Sequence, residues 1–169
     1  NKKDGDYNWE IQTTVSIDGD YNIQIQKVKP EETVLDVGGG GGRFALPLAL
    51  NCRHVTVVEP SESMLAVLQE VASETGIGNL SIVLSAWEEA KVKRADVVLC
   101  AHVVYGVEEI DVFVRKLTAY SRRMVLLIMM MEWPLAGLSP VWRVVHNEDR
   151  IILPGIEEML PVLWEMDVY

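Results

Sequence analysis

Short apolar runs alternate along most of this chain with segments whose apolar residues recur at helical spacing. The apolar runs predict five buried strands, over 33–37, 54–58, 80–84, 95–101 and 124–130. The helical segments are 43–50, 64–72 and 110–117, and the second has Ser61 as its cap and Gly76 as its end. Strands this apolar are covered on both faces, which is typical of a parallel sheet with helical crossovers. The pattern therefore predicts an α/β fold with a doubly wound, mostly parallel sheet in three layers.

The last third of the chain has a less regular pattern. Residues 133–150 predict a long loop or short helices, 156–163 predict a further helix, and another strand is expected to begin near Met166. If the run 125–130 formed the edge of the sheet, it would be an unprotected apolar strand. We therefore expect that the sheet lacks its last strands in this chain, or that another element, such as the second copy in a homodimer, covers this strand.

Composition narrows the classes of protein that fit this pattern. A chain of 169 residues is long enough for a single domain with a substantial core. The net charge of −10 argues against a surface that binds nucleic acid, because phosphates need Lys and Arg. Cys52 and Cys100 have no partners at ligand spacing, so we expect no metal site and no disulfide, and a cytoplasmic setting. The longest apolar run, 124–131, is too short to span a bilayer, so we expect no membrane partner.

The most informative stretch is the first predicted strand with the five glycines that follow it. Val34-Leu35-Asp36-Val37 leads into Gly38–Gly42 and then into a helical segment. A strand that turns sharply through glycines into a helix presents backbone N–H groups at one point, which suits a nucleotide-like ligand. Residues 40–45 also satisfy the dinucleotide pattern G-x-G-x-x-A. However, the Asp36 carboxylate at the strand tip would repel a pyrophosphate, and it suits a ligand that carries an ammonium group.

This stretch resembles the first motif of the class I S-adenosylmethionine-dependent methyltransferases, and further motifs follow in order to about Ile128. The resemblance implies a Rossmann-like fold and S-adenosyl-L-methionine as the cofactor. Asp36 and the adjacent glycine backbone would then hold the methionine part, and Glu59, which ends the second strand, would accept both ribose hydroxyls. The implied cofactor-binding residues are Asp36, Gly38, Gly39, Gly40 and Glu59, with Pro60, Met64, Ser85, Ala86 and Trp87 around the adenine, and Cys100 and Ala101 near the methyl group.

Two different roles are open for each of three aromatic side chains. His102, just after the fourth strand, is the candidate catalytic residue, because an imidazole beside the methyl group could remove a proton from the nucleophile. It could instead orient a backbone group or pack against the cofactor, and we favour this second reading because methyl transfer often needs no base. Trp87 could stack on the adenine or lie in the core beneath a loop. His146 could meet the substrate or lie on the surface.

The resemblance implies direct displacement at the sulfonium methyl, with the protein holding the nucleophile in line and keeping the site dry. We expect one domain, in which 1–32 is an N-terminal lid, 33–130 the cofactor-binding core and 131–169 a truncated substrate-side segment. The acidity, and the absence of an Asn/Asp-Pro-Pro-aromatic sequence after the fourth strand, argue against a nucleic-acid acceptor. We therefore expect a small-molecule acceptor, with a protein acceptor as the less favoured alternative.

Two other functions remain open at this point. The first is an NAD(P)-dependent oxidoreductase, although Asp36 and the absence of a Tyr-x-x-x-Lys pair argue against it. The second is a non-catalytic regulatory domain that binds S-adenosylmethionine without turnover.

Overall fold

The computed structural model describes residues 8–13, 28–131 and 136–168 of the chain. Within these ranges the sheet is built from β1 (Asn8–Thr13), β2 (Thr33–Val37), β3 (His54–Glu59), β4 (Leu80–Leu84), β5 (Ala95–Ala101) and β6 (Ser121–Met129). The helices are α1 (Ala45–Ala49), α2 (Glu62–Thr75), α3 (Ile110–Tyr120), α4 (Ser139–His146) and α5 (Ile156–Glu165). Short 3₁₀ turns cover Val104–Gly106 and Ala136–Leu138.

These strands all run parallel, in the order β1-β6-β5-β2-β3-β4. Their carboxyl ends therefore meet along one side of the sheet, here called the carboxyl edge, and their amino ends meet along the opposite amino edge. The strand order reverses between β2 and β5, which makes a topological switch point at the carboxyl edge. Open α/β sheets bind their ligands at such points. The predicted doubly wound parallel sheet is confirmed.

Helices cover both faces of the sheet, which gives the three predicted layers. Alternate residues of a strand point to opposite faces. Val34 and Val57 accordingly pack with the buried side chains of α1 and α2, whereas Leu35, Val37 and Val98 pack with those of α3 and α5. The central strands are therefore buried on both sides, as their unbroken apolar pattern predicts.

Helix α2 has the two ends that its sequence predicts. Ser61 is the N-cap, and its hydroxyl oxygen accepts a hydrogen bond from the Met64 N–H. Gly76 is the C-cap with φ +69°, and its N–H donates to the carbonyl of Ala72. Because caps act locally, these bounds can be read from sequence without knowledge of the tertiary fold.

Strand β1 lies at the outer edge of the sheet and covers β6. The register pairs Asn8 with Met124 and Thr13 with Met129. The expectation that another element covers the apolar strand is thus confirmed, and the element comes from the start of the same chain. Residues 8–13 of the expected N-terminal lid are therefore a strand, while 1–7 and 14–27 of that segment lie outside the described residues.

The last third of the chain is mainly helical where the structure describes it. Helix α4 falls in the segment predicted as a loop or short helices, and α5 confirms the predicted helix. The prediction of a strand near Met166 is wrong, because the Met166 and Val168 N–H groups donate back to the carbonyls of Val162 and Leu163. No helix in the described residues is long and apolar enough to cross a bilayer.

Candidate functional site

The glycine turn at the tip of β2 is attached to the tip of β3. The N–H of Gly38 donates to the carbonyl of Val58 at 2.8 Å, and the N–H of Gly40 donates to Oε2 of Glu59 at 2.9 Å. The turn then closes on itself, because the Gly42 N–H donates to the carbonyl of Gly39 at 3.0 Å. Backbone and carboxylate together therefore fix this turn at the switch point of the sheet.

Asp36 is a buried carboxylate whose two oxygens have no hydrogen-bond partner among the described residues. Its side chain is 1% exposed. Burial, together with the negative charge of Glu59, raises the pKa of Asp36 to about 7. A buried, unpaired carboxylate is costly to the fold, so it requires an explanation beyond packing. A cationic group of a ligand, bound within reach of its oxygens, would provide that explanation.

Glu59 closes the other side of the turn from the end of β3. Its Oε1 accepts from the Ser61 N–H at 3.0 Å, and its Oε2 accepts from Gly40. A carboxylate offers about four lone-pair sites, so about two remain to accept further donors such as hydroxyl groups. Glu59 is therefore anchored by backbone donors and still able to bind a diol.

The surroundings of Gly39 and Gly40 fit a ligand that approaches the backbone closely. A Cβ on Gly39 would stand 2.9 Å from Oδ2 of Asp36 and 2.6 Å from Val57, so only glycine leaves the carboxylate uncovered there. The Met64 methyl group lies 3.3 Å from the position of a Cβ on Gly40, and its side chain is 45% exposed. Met64 thus extends the turn with an apolar surface, where an adenine edge was predicted. Pro60, between Glu59 and the cap of α2, is exposed.

The loop after β4 stands beside Glu59 at the same edge. The Ser85 N–H donates to the carbonyl of Glu59 at 3.2 Å, and the Ser85 hydroxyl donates to the carbonyl of Ala86 at 2.9 Å. The backbone of this loop is therefore placed where the sequence predicts an adenine contact. The Ser85 hydroxyl donates its hydrogen bond within the loop itself.

The Trp87 ring belongs to the core, so the stacking role predicted for it must be corrected. Its side chain is 4% exposed and meets Phe113 and Tyr120 edge to face, with ring centroids 6.5 and 5.3 Å away. Its Nε1 donates to the carbonyl of Phe113 at 3.4 Å. The loop is anchored by burial of the ring under α3, and this leaves no open ring face for an adenine.

Lys116 on α3 is a structural contributor that the sequence analysis missed. Its ammonium donates to the carbonyls of Trp87, Glu88 and Ala90 at 2.6, 3.0 and 3.1 Å. It also stands 4.6 Å from the centroid of the Trp87 ring. One side chain therefore holds the loop that follows β4, although it lies about 30 residues away in sequence and carries no motif.

We expect Lys116→Gln to loosen this loop. Three carbonyls lose a charged donor at once, so the free energy of unfolding should fall by about 1–3 kcal/mol. If the loop contacts the adenine, the affinity for S-adenosylhomocysteine should fall about threefold to tenfold. Urea denaturation and calorimetry measure the two effects. The control is Arg115→Gln, which removes the same charge from the neighbouring exposed position, and equal losses in both variants would contradict this role.

His102 follows β5 at the carboxyl edge in a left-handed conformation with φ +59°. Its N–H donates to the carbonyl of Ile128, and its Nδ1 lies 3.0 Å from the Tyr105 hydroxyl, which accepts from the Met130 N–H at 2.7 Å. Burial and the positive charge of Arg43 lower the pKa of His102. The ring is therefore held in place and its neutral form is favoured, while Nε2 has no hydrogen-bond partner among the described residues.

Cys100 does not present its thiol to the cleft. It is fully buried in the core on the α3 side of the sheet, and burial, with the negative charge of Asp36, raises its pKa well above the usual range. Only the backbone of Cys100 could therefore make the predicted contact with the cofactor. Ala101 beside it is partly buried. No group of three or more metal-ligating side chains occurs among the described residues.

The other histidines lie apart from this cluster. His54 begins β3 at the amino edge, where its Nε2 is 2.9 Å from the Ser81 hydroxyl. His146 is exposed at the end of α4, and its ring centroid lies 4.0 Å from that of Trp142. The structure thus brings together Asp36, Glu59 and the glycine turn, and it leaves His54 outside.

Comparison with known proteins identifies the family of the chain. Residues 34–123 match the family described as a methyltransferase domain. A ubiquinone biosynthesis O-methyltransferase of Rickettsia canadensis is 34% identical over 90 residues, which are 53% of this chain and 38% of that protein. A ribosomal RNA small subunit methyltransferase G of Neisseria gonorrhoeae is 35% identical over 74 residues, which are 42% of this chain and 35% of that protein.

Solved structures show the same fold. The magnesium protoporphyrin IX methyltransferase of Synechocystis PCC 6803 with bound SAM is 26% identical, with a TM-score of 0.53 over 57% of this chain and 49% of that one. The chain therefore belongs to the class I S-adenosylmethionine-dependent methyltransferase family, whose methyl donor is S-adenosyl-L-methionine. It spans 31–40% of the length of the curated relatives it matches.

Proposed function

We propose that this protein transfers a methyl group from S-adenosyl-L-methionine to a small-molecule nucleophile. The observation that carries the proposal is the buried carboxylate of Asp36, unpartnered among the described residues and set against the glycine turn and Glu59. A pyrophosphate would be repelled there, whereas an amino acid ammonium would supply the missing donor. This argues against the alternative of an NAD(P)-dependent oxidoreductase.

Different residues at the carboxyl edge would bind different parts of the cofactor. Asp36 and the backbone around Gly38–Gly40 would hold the methionine part, and the free lone pairs of Glu59 would accept the ribose hydroxyls. Met64 and the loop 85–86 would flank the adenine, with the backbone of Cys100 and Ala101 near the methyl group. The cofactor supplies an electrophilic methyl group on a sulfonium. The task of the chain is then to orient the nucleophile and exclude water.

The methyl acceptor is proposed to be a small molecule and not a nucleic acid. The relatives named above include one for ubiquinone biosynthesis and one for ribosomal RNA. A net charge of −10 disfavours a nucleic acid, since its phosphates would meet a repulsive field. A small-molecule acceptor is favoured instead. The two free, buried cysteines, Cys52 and Cys100, support a reducing compartment such as the cytoplasm.

Calorimetry with S-adenosylmethionine, S-adenosylhomocysteine and NAD(P) tests the proposal. We expect saturable binding of both S-adenosyl compounds and none of NAD(P), and tight NAD(P) binding alone would overturn the site assignment. Labelled S-adenosylmethionine with a metabolite extract then tests turnover. Binding without any labelled product would favour a regulatory domain, and labelling of RNA but not of metabolites would refute the small-molecule acceptor.

His102 is proposed to orient the acceptor rather than to act as a base. The Tyr105 hydroxyl accepts from Met130 and can donate its own proton to Nδ1, which leaves Nε2 protonated in the neutral ring. A protonated Nε2 donates a hydrogen bond but takes up no proton. We therefore expect His102→Asn, which tolerates the left-handed backbone, to lower kcat less than tenfold and keep the shape of the pH profile.

The labelled-methyl assay, run from pH 6 to 9 with the acceptor found as above, measures this. A loss of a hundredfold or more, together with loss of one limb of the pH profile, would instead identify His102 as a general base.

A further inference from the structure

A cavity lies at the amino edge of the sheet, away from the carboxyl-edge site. It has a volume of about 440 Å³ and is bordered by the first residues of β2, β3 and β5. Four residue steps along β2 separate it from the glycine turn, which is about 13 Å at the rise of a strand. Six basic side chains line it: Arg53, His54, Lys91, Lys93, Arg94 and Arg122.

The charge of this cavity is opposite to that of the whole chain. Five of the 15 Lys and Arg residues border it, although the net charge is −10. Asp96, which follows the lining residue Ala95, is already engaged, because it accepts from the Thr33 N–H and hydroxyl and stands 3.6 Å from Arg122. The cavity therefore concentrates positive potential that this acid does not neutralise.

Part of this charge has a structural explanation. The carboxyl ends of the helices lie at the amino edge, where cations are favoured by the helix dipole. Arg94 serves this purpose, since its guanidinium donates to the carbonyl of Ser121, the C-cap of α3, at 2.8 Å. By contrast, the exposed side chains of Arg53, Lys91 and Lys93 form no ion pair or hydrogen bond within the described parts of the chain. Three cations from two separate loops thus face one cavity without a partner.

The remaining residues around the cavity indicate which kind of ligand fits it. Val34, Val83, Val92 and Ala95 give the cavity an apolar wall beside its cations. An extended polyanion would also be repelled by the net negative charge of the rest of the chain, whereas a compact one would be repelled less. We propose that this cavity binds a small ligand that carries two or more phosphate groups, of the size of a nucleotide. Lys91, Lys93 and Arg53 bind its phosphates, and the valines contact its apolar part.

Calorimetry with tripolyphosphate, ATP and a short single-stranded oligonucleotide tests this site. We expect saturable binding of tripolyphosphate, at least as strong binding of ATP, and weakening of both with added salt. Lys91→Gln and Lys93→Gln should each weaken tripolyphosphate binding about threefold to fivefold, and the double variant about tenfold or more. Arg115→Gln is the matched control, because it removes one charge from the exposed face of α3, and it should leave the affinity unchanged.

S-adenosylhomocysteine binding serves as the second readout. It should stay unchanged in the lysine variants, which shows that they fold and separates this proposal from that for the carboxyl edge. Absence of tripolyphosphate binding, or an equal loss in Arg115→Gln, would overturn the site. Tighter binding of the oligonucleotide than of tripolyphosphate would also overturn it, in favour of an extended nucleic-acid surface.

Discussion

The Asp36→Asn variant is expected to lose cofactor affinity and to gain stability at the same time. Loss of the carboxylate removes the charged partner of the methionine ammonium, so S-adenosylhomocysteine binding should weaken by about 2–3 kcal/mol, roughly 30- to 150-fold. The unliganded protein, however, no longer carries a buried, unpaired charge. Calorimetry measures the affinity, and urea denaturation at pH 5 and pH 8 measures the stability.

The pH dependence follows from the raised pKa of Asp36, about 7 in the folded protein against 3.8 for the ordinary carboxyl group. Between these values the folded chain holds a proton that the unfolded chain has lost, so stability falls as the pH rises from about 4 to about 7. Asp36→Asn removes this loss. The stability that the variant gains over the parent should therefore be larger at pH 8 than at pH 5, by about 2–3 kcal/mol.

Asp96→Asn is the matched control because the environment of Asp96 acts in the opposite direction. Burial raises its pKa, but hydrogen bonds from Thr33 and the charge of Arg122 outweigh burial and lower the pKa overall. This carboxylate therefore stabilises the fold above its unfolded pKa, and its removal should cost about 1–2 kcal/mol at pH 8 without changing cofactor affinity. If Asp36→Asn retained full affinity, the assignment of the ammonium to Asp36 would be wrong.

The second large effect is expected for Gly42→Ala. Gly42 has φ +88°, and a Cβ there would lie 2.3 Å from Leu68, whose side chain is fully buried in α2. The left-handed backbone costs about 1–2 kcal/mol for a residue with a Cβ, and overpacking adds about 1–3 kcal/mol. We expect the free energy of unfolding to fall by about 3 kcal/mol or more, and urea denaturation checks it.

Gly41→Ala is the neighbouring control. The φ of Gly41 is not positive, and the nearest atom to a Cβ there is a methyl group of Val67 at 3.4 Å, which is ordinary contact. Its substitution should change stability by less than about 1 kcal/mol. Similar losses in the two variants would show that the glycines act as one flexible stretch, and not through the separate positions described above.

The features that could be predicted from sequence are those that local interactions determine. Neighbouring residues in the chain predict β2, the glycine turn and the caps of α2, because turns and caps involve residues a few positions apart. Glu59 was predicted from its spacing to the glycines, and the structure places it against Gly40. Because β2 and β3 are neighbouring parallel strands, the glycine turn that follows β2 lies next to the end of β3.

The missed features depend on contacts between distant parts of the chain. Trp87 was open to two readings because its burial is decided by α3, whose Phe113 lies 26 residues further on. Lys116 carries no signal in sequence, since its partners are backbone carbonyls that any residue could supply. The strand expected near Met166 failed for a related reason, because the final turn of the chain uses its own carbonyls.

The position of β1 also has a consequence for the order in which the sheet assembles. Asn8 pairs with Met124, so β1 leaves the ribosome well before β6 and gains no strand partner until β6 has been made. Contacts that close so long a loop form late, because the chain entropy is lost before any contact compensates for it. During synthesis, the interior of the sheet can therefore form before its outermost strand, and β1 docks as the closing step.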